Sequence, residues 1–221
     1  MIFVYFFATA ELLPHAIPET EWRDSLMRLF FLGISHEGMD DFGTDLLRRD
    51  FCDGWLGITC FQQVVRIIKY DRSNYGNFRI GALPNTVWIV EINRCAQQTT
   101  IVTRLFPISL KKVDLSFNQY ARRIDLTAFP PHLEEAYFQE NQLYGPLFLG
   151  NLPSVLRVLD LSSNKFILNT VYYENIPPSV KRIALSQTYG HFRVDSVRAI
   201  HINNKVCDKS IFVGMKRSNV H

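Results

Sequence analysis

One frame, L-x-x-L-x-L-x-x-N with varied apolar residues in its leucine slots, recurs six times in this chain and limits its fold more than any other feature. Val65, Ile68 and Tyr70 lead to Ser73; Val87, Val90 and Ile92 to Cys95; Leu110, Val113 and Leu115 to Asn118. Leu133, Ala136 and Phe138 lead to Asn141; Leu156, Leu159 and Leu161 to Asn164; Val180, Ile183 and Leu185 to Thr188. The first positions, 65, 87, 110, 133, 156 and 180, are spaced by 22, 23, 23, 23 and 24 residues. A unit this short cannot bury its own apolar edge, so the units must stack into a solenoid with one shared core. Positions one, four and six point inward, while positions three, five and seven face outward from a short strand. Six strands about 4.8 Å apart make a parallel ribbon roughly 24 Å wide.

A second mark travels in phase. Leu83-Pro84, Phe106-Pro107, Phe129-Pro130, Leu152-Pro153 and Ile176-Pro177 each stand just ahead of a strand. Proline lacks the ladder donor, so it belongs before a strand, and it holds the preceding apolar residue extended and aimed at the core. At position nine an asparagine amide can bond its own turn and its neighbour's, forming a ladder. Ser73, Cys95 and Thr188 are weaker occupants near the ends of the array, with Cys95 read as a buried thiol in that column.

These residues resemble the leucine-rich-repeat family over residues 64–195. Leu152 to Asn164 is close to the family consensus, and Asn141-Gln142-Leu143-Tyr144-Gly145-Pro146-Leu147 is similar to the N-x-L-x-G-x-[IL] continuation of plant-type repeats. The in-phase Pro and Ser also resemble repeats of secreted and surface proteins of kinetoplastid protists. Cys95 followed by Gln97 departs from the usual Asn and Leu. The segment Cys52-Asp53-Gly54-Trp55-Leu56-Gly57-Ile58-Thr59-Cys60 resembles the C-x-x-W-x-G-[VI]-x-C element closing the N-terminal cap of plant-type ectodomains. The resemblance implies an α/β solenoid, a right-handed superhelix with a concave parallel sheet and a largely irregular convex side. It also implies a Cys52–Cys60 disulfide, with Trp55 covering the edge of the first repeat.

The expected organisation is a helical cap over 11–63, six repeats over 64–195, and a degenerate last repeat and tail over 196–221. In the cap, Glu21–Phe31 reads as an amphipathic helix with Thr20 as its N-cap, and Thr44–Arg49 as a shorter one. In the tail, Val197, Ile200 and Ile202 fill the frame at a step of 17. Residues 1–10 have two readings: a truncated signal segment (Ile2–Phe7 before Ala8-Thr9-Ala10), or a buried strand behind a mistaken start. A disulfide would place the chain outside the cell or on its surface; the alternative is two reduced thiols in a cytoplasmic scaffold subunit. Cys207 has no assignment. No N-x-[ST] glycosylation acceptor occurs.

Composition removes other function classes. With 47% hydrophobic and 20% charged residues among 221, the chain is too apolar to be disordered. The net charge of +3 is spread among 24 basic and 21 acidic residues without a Lys/Arg run beyond a pair, which excludes the basic footprint of a nucleic-acid binder. No apolar run reaches the roughly 20 residues of a membrane span. The six histidines share no motif, His36-Glu37 reads as a solvated loop pair, and no phosphate loop, nucleophile elbow or metal-ligand spacing appears. No catalysis, cofactor or metal is expected.

The expected work is protein or peptide binding on the concave sheet. Position three carries Ile67, Ile89, Lys112, Glu135, Val158 and Arg182; position five carries Lys69, Glu91, Asp114, Tyr137, Asp160 and Ala184. Position seven carries Asp71, Asn93, Ser116, Gln139, Ser162 and Ser186. Opposite charges on adjacent strands, such as Lys112 beside Glu135, neutralise part of this face. Tyr137, ringed by Ile89, Val158, Lys112, Glu135, Asp114, Asp160 and Glu91, has the composition of a partner-binding hot spot.

Overall fold

The computed structural model describes residues 19–42, 50–186, 193–201, 203, 206 and 208–221. The opening segment 1–10, the helix expected over 44–49, Thr188, Ile202 and Cys207 lie outside the described residues. Two helices open the described chain, α1 (Glu19–Phe31) and α2 (His36–Phe42). A hairpin follows, β1 (Ile58–Phe61) and β2 (Val64–Asp71). The repeats then contribute β3 (Ile89–Asn93), β4 (Lys112–Asp114), β5 (Ala121–Arg122), β6 (Glu135–Tyr137), β7 (Gln142–Leu143) and β8 (Phe148–Leu149). The chain closes with β9 (Val158–Asp160), β10 (Ile167–Tyr173), β11 (Arg182–Ala184), β12 (Arg193–Ala199) and β13 (Phe212–Val213).

One sheet runs β1-β2-β3-β4-β6-β9-β11-β13, parallel throughout except for the antiparallel β1–β2 pair. Its register is the frame itself: Ile68, Val90, Val113, Ala136, Leu159 and Ile183 are successive partners. Leu115, Phe138 and Leu161, one step beyond, are equally in line. The Leu115 N–H donates to Tyr137 O, that of Phe138 to Asp160 O and that of Leu161 to Ala184 O. All three side chains are fully buried. Burying a side chain of this size contributes about 1.5–3 kcal/mol, and the repetition of that contribution is what holds the coils together.

Each return to the sheet follows one recipe. Short 3-10 turns at Ile80–Ala82, Thr103–Leu105 and Leu126–Ala128 end on Leu83, Phe106 and Phe129, whose backbones are extended (ψ 142°, 145° and 142°). The proline that follows forces that conformation, and all three side chains are buried. The strand's exit is equally regular. Arg72, Arg94, Phe117, Glu140 and Ser163, at position eight, all adopt positive φ between 51° and 56°. That corner turns the position-nine side chain into the core.

There the asparagines form the ladder. The side-chain amides of Asn118, Asn141 and Asn164 donate to Ile92 O (2.7 Å), Leu115 O (2.9 Å) and Phe138 O (2.9 Å) of the preceding coil. Their oxygens accept from the N–H groups of Gln97, Tyr120 and Leu143. The Cys95 thiol fills the same slot, donating to Tyr70 O at 3.5 Å, and burial pushes its pKa up.

The convex side carries short parallel pairings between irregular stretches: β5 with β7, and a sheet ordered β12-β10-β8. This relocates the tail segment. Val197, expected in a seventh frame, lies in β12 beside Val171 of β10, whereas Phe212 takes the seventh concave place beside Ile183. The last coil is longer than its predecessors, 29 residues from Ile183 to Phe212, so the repeat's usual step stops short of the concave strand.

The cap is built on aromatics. Phe31 packs on Trp55 (centroids 5.4 Å apart) and Phe51 (5.7 Å), and Phe78 stacks on Tyr70 (4.7 Å) and Phe30 (5.0 Å). Cys52 and Cys60 are disulfide-bonded with Cα atoms 5.5 Å apart. Arg23, buried in α1, donates to Gln63 O (2.7 Å), to Asp50 (2.7 Å) and to the Cys52 sulfur (3.2 Å), tying α1 to the turn of the hairpin and to the segment that precedes it. Thr20 is the second residue of α1 rather than its cap, and His36-Glu37 opens α2 instead of lying in a loop. Gly38 explains that helix: a Cβ there would lie 2.4 Å from Tyr75 Cβ, so only glycine lets α2 sit against the first coil.

The bridge spans eight residues, a closure worth about 2.5 kcal/mol in the chain-entropy account. Replacing both cysteines with serine is expected to destabilise the cap by about that amount. Since coils contact only neighbours, amide exchange should accelerate in β1 and β2 while β6 and β9 keep their protection. Uniform acceleration would show that the cap and repeats unfold as one unit.

Candidate functional site on the concave sheet

The register brings the outward residues together in two columns. Ile67, Ile89, Lys112, Glu135, Val158 and Arg182 are successive partners in one, and Lys69, Glu91, Asp114, Tyr137, Asp160 and Ala184 in the other. Tyr137 is half-buried near the middle. Its hydroxyl donates to Glu135 Oε2 at 3.3 Å, and Lys112 Nζ lies 5.7 Å from its ring centroid. Burial and, next, the Glu135 charge push its pKa up, so it stays a neutral phenol. Val158 lies half-buried on the adjoining strand β9, and Ile89 lies half-buried on β3, two strands from Tyr137.

The acidic residues around Tyr137 are less free than their positions imply. Asp160 is only 6% exposed. Its Oδ1 accepts from the N–H and hydroxyl of Ser162 (3.0 and 2.5 Å), and Arg182 covers Oδ2 at 3.0 Å. It therefore does not face solvent as its strand position suggests. Asp114 makes the same turn with Ser116 (3.0 and 2.7 Å) and stays partly exposed. In each D-x-S segment the carboxylate folds back on the strand exit, because the two N–H and O–H donors there are nearer than any partner. This also buries Ser116, at position seven, and Ala184 is covered as well, so the open face is narrower than the frame implies.

Glu91 is clamped by Lys112 (2.7 Å) and Lys69 (3.0 Å). Burial raises its pKa, but the two ammonium groups outweigh this and leave it below the usual carboxylate range. Glu135 shares Arg157 (2.9 Å) with Glu134 (3.1 Å). These pairs fix the side chains around Tyr137 before any partner arrives, which lowers the entropic cost of binding.

Two further aromatics frame the face and escaped the frame reading. Trp88 at position two is partly exposed between Arg66 (4.3 Å to the ring centroid) and Lys111 (5.3 Å), and Phe117 at position eight lies under Arg94 (4.4 Å). Their signal is that positions two and eight border the strand, where aromatics are not needed for the core. Among the described residues no group of His, Cys, Asp and Glu has the arrangement to hold a metal ion, and no helix is long and apolar enough to cross a membrane.

No protein-family model matches the sequence, and no curated protein matches it. Solved structures do. The BIR2 ectodomain from Arabidopsis thaliana aligns with a TM-score of 0.52 at 13% identity, covering 67% of this chain and 83% of that one. The PEPR1–AtPEP1 structure aligns with a TM-score of 0.50 at 18% identity, covering 80% of this chain and 32% of that one. The LRR ectodomain of the receptor kinase SOBIR1 from Arabidopsis thaliana aligns at 20% identity with a TM-score of 0.44, covering 62% and 82%. The fold is a leucine-rich-repeat solenoid.

Proposed function

We propose that this leucine-rich-repeat solenoid is a non-enzymatic recognition module that binds a protein or peptide on its concave sheet, outside the cell or on its surface. The single observation that carries this is Tyr137: an aromatic near the middle of the concave sheet, braced by Lys112 and Glu135, with half-buried Val158 on the next strand and half-buried Ile89 on the same face two strands away. An amphipathic ring held rigid among apolar neighbours and a charged rim has the make-up of a binding hot spot. Lys112, Glu135, Glu91 and Asp114 form its rim, and Asp160, paired with Arg182, stands opposite Tyr137 on the next strand. The disulfide supports an oxidising compartment, as does the resemblance of the cap element and repeats to those of plant-type ectodomains and kinetoplastid surface proteins. PEPR1, whose structure includes AtPEP1, offers a precedent for a second molecule on such a solenoid.

Two measurements test this. Mass mapping of thiols in native protein is expected to find Cys52 linked to Cys60; two free thiols would move the chain to the cytoplasm. With a partner captured by surface cross-linking, Tyr137→Ala is expected to weaken binding by about 2 kcal/mol, roughly thirtyfold. Unchanged affinity, with loss on Tyr172→Ala instead, would transfer the site to the convex side.

A further inference from the structure

On the premise that the concave sheet is the binding face, we propose that it is electrically polarised and takes a two-signed peptide segment: carboxylates over β2–β4, a cation over β6–β9. The basis is how the fixed charges are shared. On the strand frames of the first three coils (65–73, 87–95 and 110–118), six cations (Arg66, Lys69, Arg72, Arg94, Lys111 and Lys112) stand against three carboxylates, Asp71, Glu91 and Asp114. Glu91 serves two lysines, and Asp71 serves two arginines, Arg94 at 3.5 Å and Arg72 at 3.8 Å. Arg66 and Lys111 meet the Trp88 ring from either side and no carboxylate among the described residues.

The ratio inverts on the fourth and fifth coils. There the strand frames (133–141 and 156–164) hold one cation, Arg157, shared by Glu134 and Glu135, and Glu140 adds a further negative charge at the rim. Asp160 and Arg182 cancel each other, with Lys181 beyond them at the far border. The face therefore has a positive pole centred on β3 and a negative pole on β6, separated by two strand spacings. That is about 10 Å, which an extended chain covers in roughly three residues. Complementary fields of this kind set orientation and reject wrong partners. A uniformly acidic ligand gains at one pole and is repelled at the other.

The test uses a displayed library of random 12-residue peptides, selected in low-salt buffer on the whole protein. Enriched peptides are expected to carry Asp or Glu at one end and Lys or Arg three to four positions away. The triple variant Lys69→Gln, Arg94→Gln, Lys111→Gln, all at exposed positions, should weaken a selected peptide about tenfold and abolish the acidic preference. Glu134→Gln with Glu135→Gln should remove only the basic preference. Unchanged melting curves by circular dichroism show that these variants fold.

Peptides weakened by Tyr137→Ala but lacking this charge pattern, or indifferent to the charge variants, overturn the polarity and leave the concave site standing. Peptides indifferent to Tyr137→Ala and to every concave variant overturn the concave site itself. A library yielding no binder above background overturns the polarity.

Discussion

Asn118→Ala is expected to cost about 3–5 kcal/mol, far more than the lost side-chain volume accounts for. Asn118 is 7% exposed and satisfies backbone groups of two coils at once. Its amide donates to Ile92 O (2.7 Å), Leu115 O (3.0 Å) and Ser116 O (3.1 Å). Its oxygen accepts from the N–H of Cys95 (2.9 Å) and of Gln97 (3.2 Å). Truncation leaves both N–H groups without an acceptor, in a space lined by fully buried Ile92, Leu115 and Cys95 that water does not reach. Each orphaned group costs about 1–3 kcal/mol. Asn118→Asp is the informative companion: the oxygen is kept while the three donated bonds are lost, so it separates the two halves of the ladder. Urea titration followed by tryptophan fluorescence measures both. A loss under about 1 kcal/mol for Asn118→Ala would show that a water takes over the site.

The solenoid was legible because its determinants are periodic. Val113, Ala136 and Leu159 fall in one register for the same reason they fall 23 residues apart: each coil repeats the last. What periodicity does not carry leaves no mark in the frame. The convex strands β10 and β12 pair through ordinary residues such as Asn169 and Ser196, which have no fixed slot in the frame. Asp160 sits where the frame points it outward, yet a serine two residues on and an arginine on the next strand decide its side chain's direction. Helix α2 depends on one glycine meeting Tyr75, a contact between segments far apart in the chain. Columns and register follow from the repeat; how the charges share partners does not.

The departure at Cys95 and Gln97 is where consensus reasoning and structure pull in opposite directions. Leucine is the residue the repeat prefers at 97, and Gln97 is completely buried, so Gln97→Leu looks stabilising on volume and polarity alone. The opposite is expected, a loss of about 2–4 kcal/mol. Cys95 occupies the ladder slot with a thiol, a weaker donor than an amide and too weak an acceptor to hold the N–H groups of the coil before it, where Arg72 and Ser73 face its sulfur. Gln97, two residues on and one methylene longer than asparagine, performs that task. Its Oε1 accepts the Phe78 N–H at 2.8 Å, and its Nε2 donates to Gly76 O (2.7 Å) and Cys95 O (3.0 Å). Leucine would leave that buried donor and one carbonyl of the first coil unpaired, next to the aromatic cap. Cys95→Asn restores an amide to the ladder slot, so Gln97→Leu should cost at least about 1 kcal/mol less in that background. A double-mutant cycle by urea denaturation measures the coupling. If the two changes add independently, the amide at 97 is a bystander and the first two coils are held by apolar packing alone.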